Sequence, residues 1–220
     1  MREWNLNSKN TELKRARLMN DKDHLPASRR ALPRLPLIKV IGIGCGACNV
    51  VNHLFKENIK DVEFIKANTQ SHSTKAQTFI NLGKSTTKGL GTGMKPELGR
   101  ESAENETEQI KNALENTDLL ILISTLGGGT GSGSSPVIAM IASEMDILTI
   151  SLVTTPFGFE GRKRMRFAQQ CIEQLSQHVS LLLAISNNSL LSLATKSTTL
   201  KDSFSMVDDV LVSIISGISK

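Results

Sequence analysis

The sequence predicts an α/β fold: a doubly wound, mostly parallel sheet with helices on both faces. Three observations carry this. Apolar runs without polar alternation, such as LIKVIGI (37–43) and LLILIS (119–124), read as strands buried on both sides. Segments of helical character lie between them and supply the long connections that parallel strands need. Glycines gather just after strands, five of them within seven residues of TLGGGTGSGSSP (125–136).

The elements follow in order. LIKVIGIG (37–44) reads as a strand, ACNVVNHLFKEN (47–58) as a helix and VEFIKAN (62–68) as a second strand. The polar stretch 69–99 reads as loops around a short helix, and ESAENETEQIKNALENT (101–117) as one polar helix. LLILIS is a strand, PVIAMIASEM (136–145) a helix and ILTISLVT (147–154) a strand. GRKRMRFAQQCIEQLSQHV (161–179) is a helix, SLLLAIS (180–186) a strand and SLLSLAT (189–195) a short helix. The last segment, from Asp202 to Ile218, is helical.

Composition narrows the class. The 220 residues are 39% hydrophobic and 21% charged, ordinary values for a soluble globular chain. No apolar run approaches the roughly 18 residues of a membrane span, and the N-terminus has no signal core, so a cytoplasmic protein is expected. Residues 1–36 hold nine Lys/Arg against four Asp/Glu, which accounts for the whole net charge of +5. The remainder is neutral, which argues against a core that binds nucleic acid. Residues 1–36 therefore read as a basic, disordered arm whose partner the sequence does not name; a tether to a membrane surface or nucleic acid is the sharper alternative. Four acids count against a transit peptide. Residues 37–200 form the expected domain and 201–220 a terminal helix. Cys45, Cys48 and Cys171 are too few for a disulfide framework, or for a four-ligand zinc site without histidine.

Ligands of such sheets sit at the carboxyl ends of the strands, and each end here carries something unusual: GIGCGACN, ANTQ, the glycine run, TTPFGFEGRKR and NN. Bare backbone lets consecutive N–H groups turn inward and make an anion nest. A helix starting near Ser134, Ser135 and Pro136 would point its positive end at the same spot, with Thr130 and Ser132 adding hydroxyl donors. Two rival phosphate loops fail. Gly83-Lys84-Ser85 lacks the glycine a P-loop needs at Thr78. Gly42-x-Gly44 lacks the acid that dinucleotide binding wants where Asn68 stands. Cys45 and Cys48 form a C-x-x-C at a strand-to-helix turn, the placement of a redox motif.

Several motifs in register resemble those of the tubulin/FtsZ family: IKVIGIG, KGLGTGMKPELGR, GGGTGSGSSPVIA, PFGFEGRKR and DDVL, spanning about 37–219. The resemblance implies a Rossmann-like GTPase domain followed by a long central helix and a second, smaller domain, with GTP or GDP as ligand and Mg2+ accompanying it. It implies head-to-tail polymerisation into a cytokinetic ring in the bacterial cytoplasm at the division site. The partners would be the chain itself, intact family members and other division proteins. Carried over residue by residue, Gly44, Cys45, Gly46, Ala47, Cys48 and Asn49 form the first nucleotide loop, and Gly91, Thr92, Gly93 and Met94 lie over the γ-phosphate. Gly128, Gly129, Thr130 and Gly131 cradle the phosphates. Glu160 resembles the ribose contact and Arg164 a second nucleotide contact. Asn187, Phe204 and Asp208 face guanine, and a carboxylate at 208 would accept from the N1–H and 2-amino groups that adenine lacks in that arrangement.

Departures from the family pattern set further expectations. Cys45, Ala47 and Cys48 stand where glycine is usual, and because alanine and cysteine resist positive φ they predict weaker phosphate binding. Oxidation of the two thiols would then block the nucleotide. Gln70 replaces an acid, Thr125-Leu126 a Gly-Met pair, Thr155 a basic residue and Ser186 a proline. Arg162, Lys163, Arg164 and Arg166 crowd a helix start where the macrodipole disfavours cations, which an anionic ligand would offset. The final helix is apolar nearly all round, with Phe204, Val207, Leu211, Ile214 and Ile218 on one side and Met206, Val210 and Ile215 elsewhere. The family's catalytic loop and second domain follow this helix, so no catalytic residue is expected here. The reading is a truncated member that binds GTP, hydrolyses it poorly in trans and exposes a sticky helix. The alternatives are a redox-sensitive nucleotide-binding module or a filament-capping regulator.

Overall fold

The computed structural model describes residues 36–56, 59, 61–70, 78–191 and 199–218; the basic arm lies outside them. The described residues belong to one compact unit, Pro36–Lys220. Its elements are β1 (Ile38–Ile43), α1 (Cys45–Lys56), β2 (Val62–Asn68), β3 (Thr78–Asn81), α2 (Pro96–Asn105), α3 (Thr107–Leu114) and β4 (Leu119–Thr125). They continue through α4 (Gly129–Glu144), β5 (Leu148–Thr155), α5 (Arg162–Leu175), β6 (Leu181–Ser186), α6 (Asn187–Leu191) and α7 (Leu200–Ile218). The six strands are all parallel, in the order β3-β2-β1-β4-β5-β6.

Neighbouring strand residues serve opposite faces, which explains the unbroken apolar runs. Ile41, Ile43, Leu120 and Leu122 pack under α2, α3, α4 and α5 with Ala103, Ile110, Ile138 and Cys171. Val40, Ile121 and Ile123 pack on the other face with Val50, Val51 and Leu54 of α1 and Val207, Leu211 and Ile215 of α7. A sheet coated on both sides is the expected home of such strands. β6 is the exception. It is an edge strand, with Leu181 46% and Leu183 38% exposed, so its apolar run does not signal two-sided burial.

Four local expectations change. The 69–99 stretch contains β3, a four-residue strand that only its pairing with β2 defines. The polar helix starts earlier, with Pro96 in its first turn, and splits at Glu106 into α2 and α3. There the Thr107 hydroxyl donates to the Glu104 carbonyl at 2.7 Å and competes with the helical ladder. On α7 the fully packed stripe is Val207, Leu211 and Ile215, with Met206, Val210 and Ile214 half-buried.

The fourth change concerns the glycine run. α4 begins at Gly129, with Gly128 as its N-cap; Ser134, Ser135 and Pro136 are not its start but buried residues inside it. Packing decides this. α2 lies so close against α4 that a Cβ on Gly133 would run into the Pro96 carbonyl, and one on Gly99 into the Gly129 carbonyl. The run therefore serves helix contact as well as any ligand. Pro36–Lys220 with Gly133→Ala should lose about 1–3 kcal/mol of stability in urea denaturation, because backbone must move. Gly217→Ala, whose new methyl meets nothing within 4 Å, should cost nothing.

Candidate functional site

β1 and β4 are neighbours in the centre of the sheet, yet the helices that follow them leave on opposite faces, α1 toward one core and α4 toward the other. A crevice opens between the two departures. The first turns of both helices line it, so their unpaired N–H groups and positive dipole ends face one cavity of about 500 Å³. Gly44, at φ +84°, turns the chain from β1 into α1. Gly127, at φ +95°, does the same between β4 and α4, pressed so closely on Pro156 that a side chain has no room.

The cavity gathers residues from every strand end that the sequence marked. Cys45, Gly46 and Asn49 come from α1; Thr92, Gly93 and Met94 from the loop before α2; Gly128, Gly129, Thr130 and Gly131 from the start of α4. Glu160, Arg164, Asn187 and Asp208 also line it. Ala47 and Cys48 do not: both are buried in the core on the inner side of α1. Phe204 belongs to α7, but its side chain lies outside the described residues.

The concern about positive φ does not hold. In this turn only Gly44 is left-handed, and Cys45, Ala47 and Cys48 are helical, so their side chains cost the loop nothing in backbone strain. Cys45 instead acts as a polar link, receiving a hydrogen bond from the Asn68 amide at 3.4 Å and donating to Gln70 Oε1 at 3.0 Å. The Cys48 thiol faces the Gly42 and Ala67 carbonyls, and burial pushes its pKa up to about 12, which works against thiolate chemistry.

The loop before α2 is a tight turn, closed by the Lys95 N–H on the Thr92 carbonyl at 3.1 Å. Its central residues, Gly93 and Met94, both have positive φ. A methionine in that region is strained, and strain of this kind collects where a loop is shaped for a ligand. At α5 the crowded cations have a protein anion to hand. Glu160 accepts from Arg164 at 2.6 Å and from the Phe157 N–H at 2.8 Å, placing a carboxylate just before the helix start. Lys163 lies over the Phe167 ring at 5.7 Å.

Two of the lining residues carry acceptors without a hydrogen-bond partner among the described residues. Asn187 is 95% buried, and its Oδ1 has no hydrogen bond among the described residues. Asp208 is half-buried, and its pKa rises to about 6, first through desolvation and then through the neighbouring Asp209, against a lowering by His53. A carboxylate held against its solvation in a cleft is a candidate binding position.

The fold agrees with the relatives. The family model described as the GTPase domain of the Tubulin/FtsZ family matches residues 37–195. The chain belongs to the tubulin/FtsZ family. It is 46% identical over 191 residues to the cell division protein FtsZ of Pseudomonas putida, covering 86% of this chain and 48% of that one. To FtsZ of Buchnera aphidicola (subsp. Acyrthosiphon pisum) it is 44% identical over 188 residues, with 84% and 49% covered. Among solved structures, the empty FtsZ dimer of M. jannaschii superposes with a TM-score of 0.80 at 33% identity, covering 97% of this chain and 59% of that one. The chain spans about half the length of the curated FtsZ relatives it matches.

Tubulin/FtsZ membership leaves several lining residues that sequence reasoning did not assign to the site: Gln70, Leu90, Thr125, Leu126, Thr154, Pro156 and Val207. Gln70, Thr125, Leu126, Thr154 and Pro156 stand in the strand-end stretches that the sequence marked, so the rim rule had reached them without giving each a contact. Val207 gave no such signal.

The raised pKa of Asp208 has a definite sign. Its folded value lies above the unfolded 3.8, so the stability it contributes is present below about pH 4 and is lost as pH rises through about 6. Asp208→Asn should therefore be more stable than the parent at pH 7. The difference between their urea midpoints should shrink as pH falls from 7 toward 4.

Proposed function

We propose that this chain is the nucleotide-binding portion of an FtsZ-like cytoskeletal GTPase of bacterial cell division, with GTP or GDP as its ligand. One observation carries the choice of base. Asp208 and Asn187, whose side-chain oxygen has no partner among the described residues, both line the cavity that the two helix starts face and both offer an acceptor. Guanine answers them with N1–H and a 2-amino group, whereas adenine offers an acceptor at N1 and would leave a buried acceptor unpaired.

The phosphates fit the bare N–H groups of Gly129, Thr130 and Gly131 and the first turn of α1. Glu160 keeps lone pairs for a ribose hydroxyl beyond its two protein partners. Among the described residues no cluster of three or more His, Cys, Asp or Glu side chains could hold a metal. Gln70, just after β2, and Thr130 of α4 line the cavity beside glycine loops that bring no carboxylate, so an Mg2+ would be held by the phosphates and its own waters. The ion would neutralise phosphate charge.

Self-association is supported by the relatives, one of which is an FtsZ dimer. The head-to-tail partner would be another copy or an intact family member, in the cytoplasm at the division site; other division proteins are further candidates. No helix among the described residues is long and apolar enough to cross a membrane.

Equilibrium titration of the reduced chain is the direct test. GTP should bind at least about 100-fold more tightly than ATP, and Asp208→Ala should weaken GTP about 10- to 100-fold. A folded chain that binds neither nucleotide would overturn the reading. For assembly, the chain should co-sediment with filaments of intact FtsZ in GTP; recovery in the supernatant alone would refute the filament role.

A further inference from the structure

Thr69, the residue after β2, is fully buried and does not line the cavity. It nevertheless touches two structures that do. Its hydroxyl oxygen lies 2.6 Å from that of Thr130, in the first turn of α4. Its carbonyl accepts from the Thr87 hydroxyl at 2.9 Å, in the run of turns that leads to the strained loop at Gly93 and Met94.

Proton bookkeeping settles the direction of the Thr69–Thr130 bond. Among the described residues, each of these hydroxyls has only the other as a hydrogen-bond partner. Were Thr130 the donor, the Thr69 proton would be buried with no acceptor and no access to water, a costly arrangement. With Thr69 as donor, its buried proton has an acceptor. The unpaired proton then belongs to Thr130, which is half-buried and lines the cavity. A hydroxyl that accepts from inside and has its own proton left over is pre-set as a donor toward a ligand anion.

We propose that Thr69 is a positioning residue for the nucleotide phosphates: its hydroxyl donates to Thr130 and thereby turns the Thr130 proton into the cavity, toward a phosphate oxygen. This rests on the nucleotide reading above. Thr69 does not touch the ligand, so its effect is confined to ligands that carry phosphate. Because the same residue's carbonyl holds Thr87, the loop before α2 and the start of α4 are anchored on one buried point.

The test compares GTP, GDP and guanosine by competition against a fluorescent guanine nucleotide. Thr69→Val keeps the shape and removes the donor. It should weaken GTP and GDP about tenfold and leave guanosine unchanged, while Thr69→Ser restores the parent affinities. Thr69→Val in a Thr130→Val background should cost nothing further, because the proton it orients is gone. If Thr69→Val does not give a cooperative thermal transition, Thr69→Ala removes the same donor and carries the comparison. Equal GTP affinity in the variants and the parent would overturn the proposal, as would an equal loss for guanosine, which marks mere packing. A folded parent that binds no guanine nucleotide would overturn the nucleotide reading and this inference with it.

Discussion

The parallel pairing of β1 with β4 is the constraint on which the rest depends. These two strands carry the first and fourth strand positions of the chain, yet they share the centre of the sheet. The helices after them must cover different faces, since each face needs its own apolar coat. The crevice is the unavoidable gap between those departures, and it comes already lined by two helix starts. Binding capacity for an anion is thus a by-product of sheet topology, before any side chain is chosen.

Glycine has two separate duties in this arrangement. At Gly44 and Gly127 it supplies left-handed backbone where a strand turns directly into a helix approach. At Gly99 and Gly133 it lets α2 settle against α4, which holds the loop before α2 beside the start of α4. The second duty is structural, but its consequence is functional. Separating the two helices would widen the cavity on the side where Thr92 and Gly129 now touch.

Around this frame the side chains divide the labour by polarity. Asp208 and Asn187 hold acceptors where water is scarce, a local cost that a ligand with paired donors offsets. Gln70, Cys45 and Asn68 tie the end of β2 to the first turn of α1. Thr69 reaches from the same strand end to Thr130. The end of β2 therefore braces both helix starts, although no glycine or charged residue advertises it.

The fold class, the strand and helix succession, and the rim on which the site is built were legible in the sequence. Unbroken apolar strands, intervening helices and glycines at strand ends are local patterns with a single consistent solution. Most of the residues that line the cavity were legible because the family's motifs stand in register. What only the tertiary structure decided has a common cause in contacts between distant segments. β3 is a strand because β2 offers it a ladder. α4 starts at Gly129 because α2 lies against it, and that contact draws the helix start back into the glycine run. Cys45 lines the cavity at the exposed start of α1, while Cys48, one turn further in, is buried against the Gly42 and Ala67 carbonyls, and burial then suppresses thiolate formation there. Thr69 acquires its role from one hydroxyl sixty-one residues away, a proximity that sequence order does not encode.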